Sequence, residues 1–111
     1  MVRNVIIKLS LEGFHNWMTC PIKEVMFLRD RHRHIFHIKM SKEVNHSDRD
    51  IEIILFKREV QEYLKQKFGE PCEFGSMSCE MIAEHLLQQF NANEVEVLED
   101  NENGANVKTS N

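Results

Sequence analysis

Four of the six histidines of this chain fall between residues 13 and 40, in GFHNWMTCPIKEVMFLRDRHRHIFHIKM. His32 and His34 are alternate residues at the start of an alternating segment. Alternate residues of a strand share one face, about 6.5–7 Å apart, so two such imidazoles can converge on one ion if a neighbouring strand supplies a third ligand. His15, which follows an earlier apolar stretch, is that third ligand if the two segments form a hairpin. Three histidines with an open fourth position are the ligand pattern of catalytic rather than structural zinc; copper and nickel suit the same nitrogen donors. Histidine-rich loop mouths also occur without a metal, and the spacing alone leaves both readings open. His37 falls on the opposite face of the strand and His85 on a helix, and neither joins the set.

The elements that must position these residues follow from periodicity. Residues 2 to 11 place Val5, Ile7, Leu9 and Leu11 at period two, a half-buried strand. His32, His34, Phe36, Ile38 and Met40 alternate with Arg33, Ile35, His37 and Lys39 in a second strand. The connection between them, residues 16 to 31, is long enough to imply a function of its own. Its Trp17, Met26, Phe27 and Leu28, with the preceding Phe14, suit either a roof over a ligand or a subunit contact. After a polar turn at 45–50, Phe56, Val60, Tyr63 and Leu64 fall at helical spacing and Gly69 ends the helix. A second helix, capped by Ser76 or Ser78, carries Cys79, Ile82, Ala83, Leu86 and Phe90 as its apolar stripe. Val95 to Glu99 reads as a third strand, Ala105 to Lys108 as a short fourth, and 109–111 as a frayed end. The expected fold is α+β, in the order ββααββ: one domain over residues 1–108, with two helices on one face of a four-stranded antiparallel sheet.

Bulk properties narrow the setting. With 111 residues, 41% hydrophobic and 29% charged, the chain has the composition of one globular domain. Its net charge of −4 argues against a nucleic-acid surface. No apolar run approaches the roughly 20 residues of a membrane-spanning helix. Three cysteines without CxxC spacing, and no secretory apolar segment after Met1, predict a reducing, cytoplasmic location.

Taken in order, these segments resemble the 6-pyruvoyl-tetrahydropterin synthase and 6-carboxy-tetrahydropterin synthase family. Leu11-Glu12-Gly13-Phe14-His15 lines up with the family's opening F-x-A-A-H, and His32-Arg33-His34-Ile35-Phe36 with its HGHxY. Glu52 to Lys57 is similar to its D-F-x-x-L-K, and Met77 to Ala83 to its P-T-x-E-N-L/I-A. Val95 to Asp100, with Ala105 beyond, follows V-x-V-x-E-T-x4-A. The resemblance covers residues 11 to 105 and implies the tunnelling fold, in which sheets of neighbouring subunits join into an oligomeric barrel, a trimer or hexamer. It implies zinc on His15, His32 and His34, and a pterin ring held by Glu99, whose ionised carboxylate can accept two N–H bonds from the ring edge. Ser78 and Arg33 are then further substrate contacts, with Arg29 and Arg31 also placed to meet a triphosphate.

The proton-transfer groups follow the family less closely. Its cysteine stands shortly before HxH, whereas Cys20 lies farther ahead of His32. Its Asp-His pair follows the first helix, but residues 69–75 contain neither residue type; His46 and Asp48 precede that helix. Cys20, His46 and Asp48 are nevertheless the residues available for proton transfer. Two functions are therefore expected of such a chain. One is a zinc-dependent lyase of the tetrahydropterin synthase type, acting on dihydroneopterin triphosphate or a related pterin. The other is a non-catalytic pterin-, purine- or nucleotide-binding protein that kept the fold and ring anchor without the proton relay.

Overall fold

A computed structural model describes residues 1–110. Strand β1 (Arg3–His15) and strand β2 (His32–Val44) form an antiparallel hairpin whose register is unbroken from Arg3↔Val44 to His15↔His32. Both strands are longer than their apolar alternation suggested. β1 runs through Gly13 to His15, so His15 is a strand residue directly opposite His32. The 16–31 connection is not a bare loop, since residues Lys23–Arg29 form a 3-10 segment.

Helix α1 (Ile53–Phe68) starts where the Glu52 carboxylate accepts the N–H groups of Ile54 and Leu55, at 3.2 and 2.8 Å. It ends at Gly69, whose positive φ of 92° suits glycine. Strand β3 (Cys72–Gly75) follows, then helix α2 (Cys79–Gln89), strand β4 (Glu94–Glu99) and strand β5 (Asn103–Lys108). Of the two serines considered, Ser78 caps α2, its hydroxyl accepting the Met81 N–H at 3.1 Å. Substrate contact, the role expected of it, competes with that cap.

The sheet has five strands in the order β3-β1-β2-β4-β5, which corrects the expected four. The addition is β3, which pairs parallel with Gly13–His15 and makes the sheet mixed. The remaining four strands are antiparallel and lie in sequence order, with both helices inserted between β2 and β4. One face of the sheet carries the core: Ile7, Leu9, Phe36, Ile38, Met40, Val95 and Val97 pack against Phe56, Val60 and Leu64 of α1 and Ile82, Ala83 and Leu86 of α2. At the sheet end near His15, a Cβ on Gly13 would come within 2.8 Å of Phe74 and 2.9 Å of Phe36. Glycine there lets the two aromatic rings close up beneath the histidines.

The C-terminal end is held further than expected. Thr109 donates its N–H to the Asn93 carbonyl at 2.9 Å; Asn111 lies outside the described residues. Among the described residues, no helix is long and apolar enough to cross a membrane.

Candidate metal centre

The hairpin register and the two-residue strand period together build the site. His15, His32 and His34 all stand on the core face, at the end of the sheet where the apolar rows stop. Their rings meet edge to face, with centroids 4.6 to 5.5 Å apart. The Phe36 ring forms the floor, at 5.2 Å from His15 and 5.7 Å from His34. A fourth side chain joins them. Glu99 ends the row Val95, Val97, Glu99 on the same face, because β4 pairs Glu99 with Phe36. One ligand atom from each of His15, His32, His34 and Glu99 lies within 4.8 Å of all the others, a set able to hold a metal ion. Glu99 thus stands at the fourth position, which the sequence leaves open, in addition to the ring contact expected of it.

The outer contacts decide which nitrogen faces inward. His15 Nδ1 is 2.9 Å from the Met77 carbonyl, His32 Nδ1 is 2.8 Å from the Asp30 carbonyl, and His34 Nδ1 is 2.7 Å from Asp100 Oδ2. Carbonyl and ionised carboxylate oxygens only accept, so each neutral ring carries its proton on Nδ1 and turns the Nε2 lone pair inward. This is the outer-shell pattern of metal-ligating histidines. His15 Nε2 is the telling atom. It is buried, and in the neutral ring it has no proton to share; Glu99 Oε2, 2.8 Å away, accepts a hydrogen bond from it only when the ring takes up a second proton. His34 Nε2 is 3.5 Å from the same oxygen. Lone pairs facing a carboxylate at such distances call for a cation between them, either a proton or a metal ion.

The electrostatics agree. Burial lowers the His15 pKa, but hydrogen bonds to Glu99 and to the Met77 carbonyl outweigh it and the net shift is upward. Glu99 is held below its ordinary value, chiefly by the hydrogen bond with His15. Asp100 is lowered by the Ile35 N–H and then by His34. Cys79, at the first turn of α2, is buried beside Glu99; burial and the nearby carboxylate push its thiol up to about 12, so it stays protonated. The sequence placed Cys79 in the helix core, and it also touches the site.

The remaining expected site residues lie elsewhere. Cys20 is fully buried inside the 16–31 segment, with its thiol 3.8 Å from the Ile22 carbonyl and 3.7 Å from that of Val25. Its sulfur is enclosed by its own loop and is not among the converging ligand atoms, so the structure does not support the proton-transfer role expected of it. His46 and Asp48 do not form a carboxylate–imidazole pair. Only the Asp48 backbone N–H reaches His46 Nδ1, at 3.2 Å, while His46 faces Asp50 and the Asp48 carboxylate pairs with Arg49. Both residues follow the far end of β2. Over that 13-residue strand the separation from His32 is about 40 Å, in a molecule 50 Å long. No role at the metal is open to them within one chain. Arg33 alternates with the two histidines and so points to the other face, where it pairs with Glu12. Arg31 pairs with Glu73 and lies over the Phe14 ring, 3.7 Å from its centroid. Arg29 donates to the Cys20 carbonyl at 2.9 Å. The three arginines expected to meet a triphosphate therefore all have partners within the chain.

Three residues that sequence reasoning missed complete the centre. Asp100 escaped because it fell at a threonine of the resembled motif, and Asp30 and Met77 because they act through their carbonyls. The available signal was the acidic pair Glu99-Asp100 closing an apolar strand. No family model matches the chain, and no curated protein matches it.

Proposed function

We propose that the chain is a zinc-dependent protein of the tetrahydropterin synthase type, whose substrate is dihydroneopterin triphosphate or a related pterin. The observation that carries this reading is the convergence of three Nε2 lone pairs and the Glu99 carboxylate on one point, with every outer contact in place. The sequential antiparallel strands β1-β2-β4-β5 with both helices inserted between β2 and β4 add to it. Zinc bound there would act as a Lewis acid on side-chain hydroxyls or a carbonyl, lowering the cost of removing protons from carbon. The chain's own residues orient the ligand. Glu99 would accept the N–H groups of the pterin edge, with the protonated Cys79 thiol beside it.

A specific observation also favours the binding-only reading. Cys20 is sealed in its loop, and His46 and Asp48 stand past the end of β2 opposite His32. Turnover then needs a neighbouring copy to supply proton-transfer groups, and without one the protein holds its pterin unchanged.

Metal analysis of protein produced in zinc-replete medium, beside a His32→Ala variant, tests the centre. About one zinc per chain in the wild type and little in the variant is expected; equal content in both overturns it. Calorimetric titration of zinc-loaded protein with dihydroneopterin triphosphate, beside an assay for its consumption, tests the ligand. Binding with consumption supports the enzyme and binding alone the carrier. Absence of both overturns the pterin reading.

A further inference from the structure

We propose that Asp100 selects the tautomer in which His34 can bind a metal ion, making it a positioning residue of the centre. The inference rests on His34 being a ligand, as proposed above. Asp100 opens the β4–β5 turn with a positive φ of 55°, followed by Asn101 at 59°, and the turn is closed by the Glu102 N–H on the Glu99 carbonyl at 2.9 Å. Aspartate and asparagine are among the few side-chain residues that take this conformation readily. The turn returns Asp100 onto β2. Its N–H donates to the Ile35 carbonyl at 2.7 Å, its Oδ1 accepts the Ile35 N–H at 3.0 Å, and its Oδ2 stands 2.7 Å from His34 Nδ1.

Two donors thus meet two oxygens, and neither oxygen can donate. The His34 proton must sit on Nδ1, leaving Nε2 as a lone pair directed at His15, His32 and Glu99. The corresponding acceptors for His15 and His32 are backbone carbonyls. Among the described residues, Asp100 is the one outer contact of the three histidines made by a side chain.

Asparagine at this position isolates the role. It keeps the shape and tolerates the positive φ, but offers one oxygen and one NH₂ group to the same two partners. The Ile35 N–H cannot change from donor to acceptor, so the amide oxygen must stay on it and the NH₂ must face His34. Only the imidazole can adapt, by moving its proton to Nε2. That ring is then unable to ligate. Glycine, which takes this φ freely, removes the side chain and leaves His34 Nδ1 to water, with both tautomers accessible.

The test uses nitrogen-15 imidazole spectra of chelator-stripped protein at about pH 8, above the ordinary histidine pKa of about 6.5. His34 signals are assigned by their loss in His34→Gln. The wild type should show His34 protonated on Nδ1 and Asp100→Asn on Nε2. Zinc affinity, measured by competition with a chromophoric chelator, should fall roughly 10–100-fold in Asp100→Asn and less in Asp100→Gly. A role limited to holding the turn gives the reverse order, since asparagine preserves the turn at least as well. The inference is overturned if His34 keeps its Nδ1 proton in Asp100→Asn, or if that variant binds zinc as tightly as Asp100→Gly or the wild type. A tautomer switch between wild type and Asp100→Asn, in a wild type that takes up no zinc, upholds Asp100's control of the ring and overturns the metal reading instead.

Discussion

His15 Nε2 and Glu99 Oε2 stand 2.8 Å apart with no N–H between them when the imidazole is neutral and its proton is given to Met77. A proton and a metal ion therefore compete for one position. The raised His15 pKa means that the metal-free fold gains stability from this pair below the ordinary value of 6.5, and loses it as pH rises through the higher folded value. The lowered Glu99 pKa gives a contribution present above the ordinary value of 4.5 and lost as pH falls through the lower folded one. Chelator-stripped protein should thus melt at a lower temperature at about pH 8 than at about pH 6, on either side of the imidazole range. Zinc binding displaces no His15 proton at the higher pH, so the melting-temperature gain on adding zinc should widen there. Calorimetry with chelator and with zinc at both values checks this; a gain that stays constant or narrows would rule out the competition.

Glu99 is the second test, because its two expected roles separate. In Glu99→Gln an acceptor oxygen becomes a donor and the charge is lost. Loss of a charge-assisted pair with a pterin edge should weaken that ligand by roughly 2–4 kcal/mol. The position of Glu99 within the ligand set adds a second effect, a rise in the zinc dissociation constant of at least about tenfold. Calorimetry with the pterin and chelator competition for zinc read the two independently. Unchanged zinc affinity with weakened pterin binding would return Glu99 to the ring alone; the opposite result would remove it from the ring.

Much of this centre was legible in the sequence because it depends on two local rules, the period of a strand and the equal arms of a hairpin. His32 and His34 share a face for the first reason, and His15 meets them for the second. Glu99 was legible as important but not as a neighbour of the metal, since its position depends on which strand β4 pairs with and in what register. Strand β3 was missed because its four residues, Cys72–Gly75, offer only Cys72 and Phe74 as an alternating pair, and its parallel partner is chosen by tertiary packing. Cys20, His46 and Asp48 were chosen for their chemistry. Their distance from the centre is set by loop packing and strand length, which residue types do not encode.

Assembly is the third test. β3 covers β1 only at Gly13–His15, so residues 3–12 carry no strand on their outer side among the described residues, and β5 is the other edge of the sheet. Unpaired edges of that length favour pairing with another copy. We propose a trimer or hexamer. Light scattering at micromolar concentration should give three or six times 13.2 kDa. A mass equal to one chain would rule out the assembly and, with it, any role for His46 or Asp48 at the metal.

The last test concerns the floor of the centre. Gly13 lies where Phe74 of β3 and Phe36 of β2 close beneath the histidines, and a Cβ there would stand 2.8 and 2.9 Å from their rings. Those contacts are to ring atoms fixed by the core, since Phe36 is fully buried and Phe74 nearly so. Gly13→Ala should therefore overpack the site and cost about 1–3 kcal/mol of stability, visible as a lower denaturant midpoint with an unchanged slope. The strain has a direction. Phe36 touches His15 and His34 edge to face, so displacing its ring shifts two of the three imidazoles relative to His32 and Glu99. Zinc affinity should fall together with stability in Gly13→Ala. In Phe90→Leu, at the other end of α2 where the Phe90 carbonyl accepts from Lys42 near the far end of β2, stability should fall while zinc affinity holds. Equal zinc affinity in the wild type and Gly13→Ala, despite the lost stability, would show that the Phe36 floor does not position the ligands.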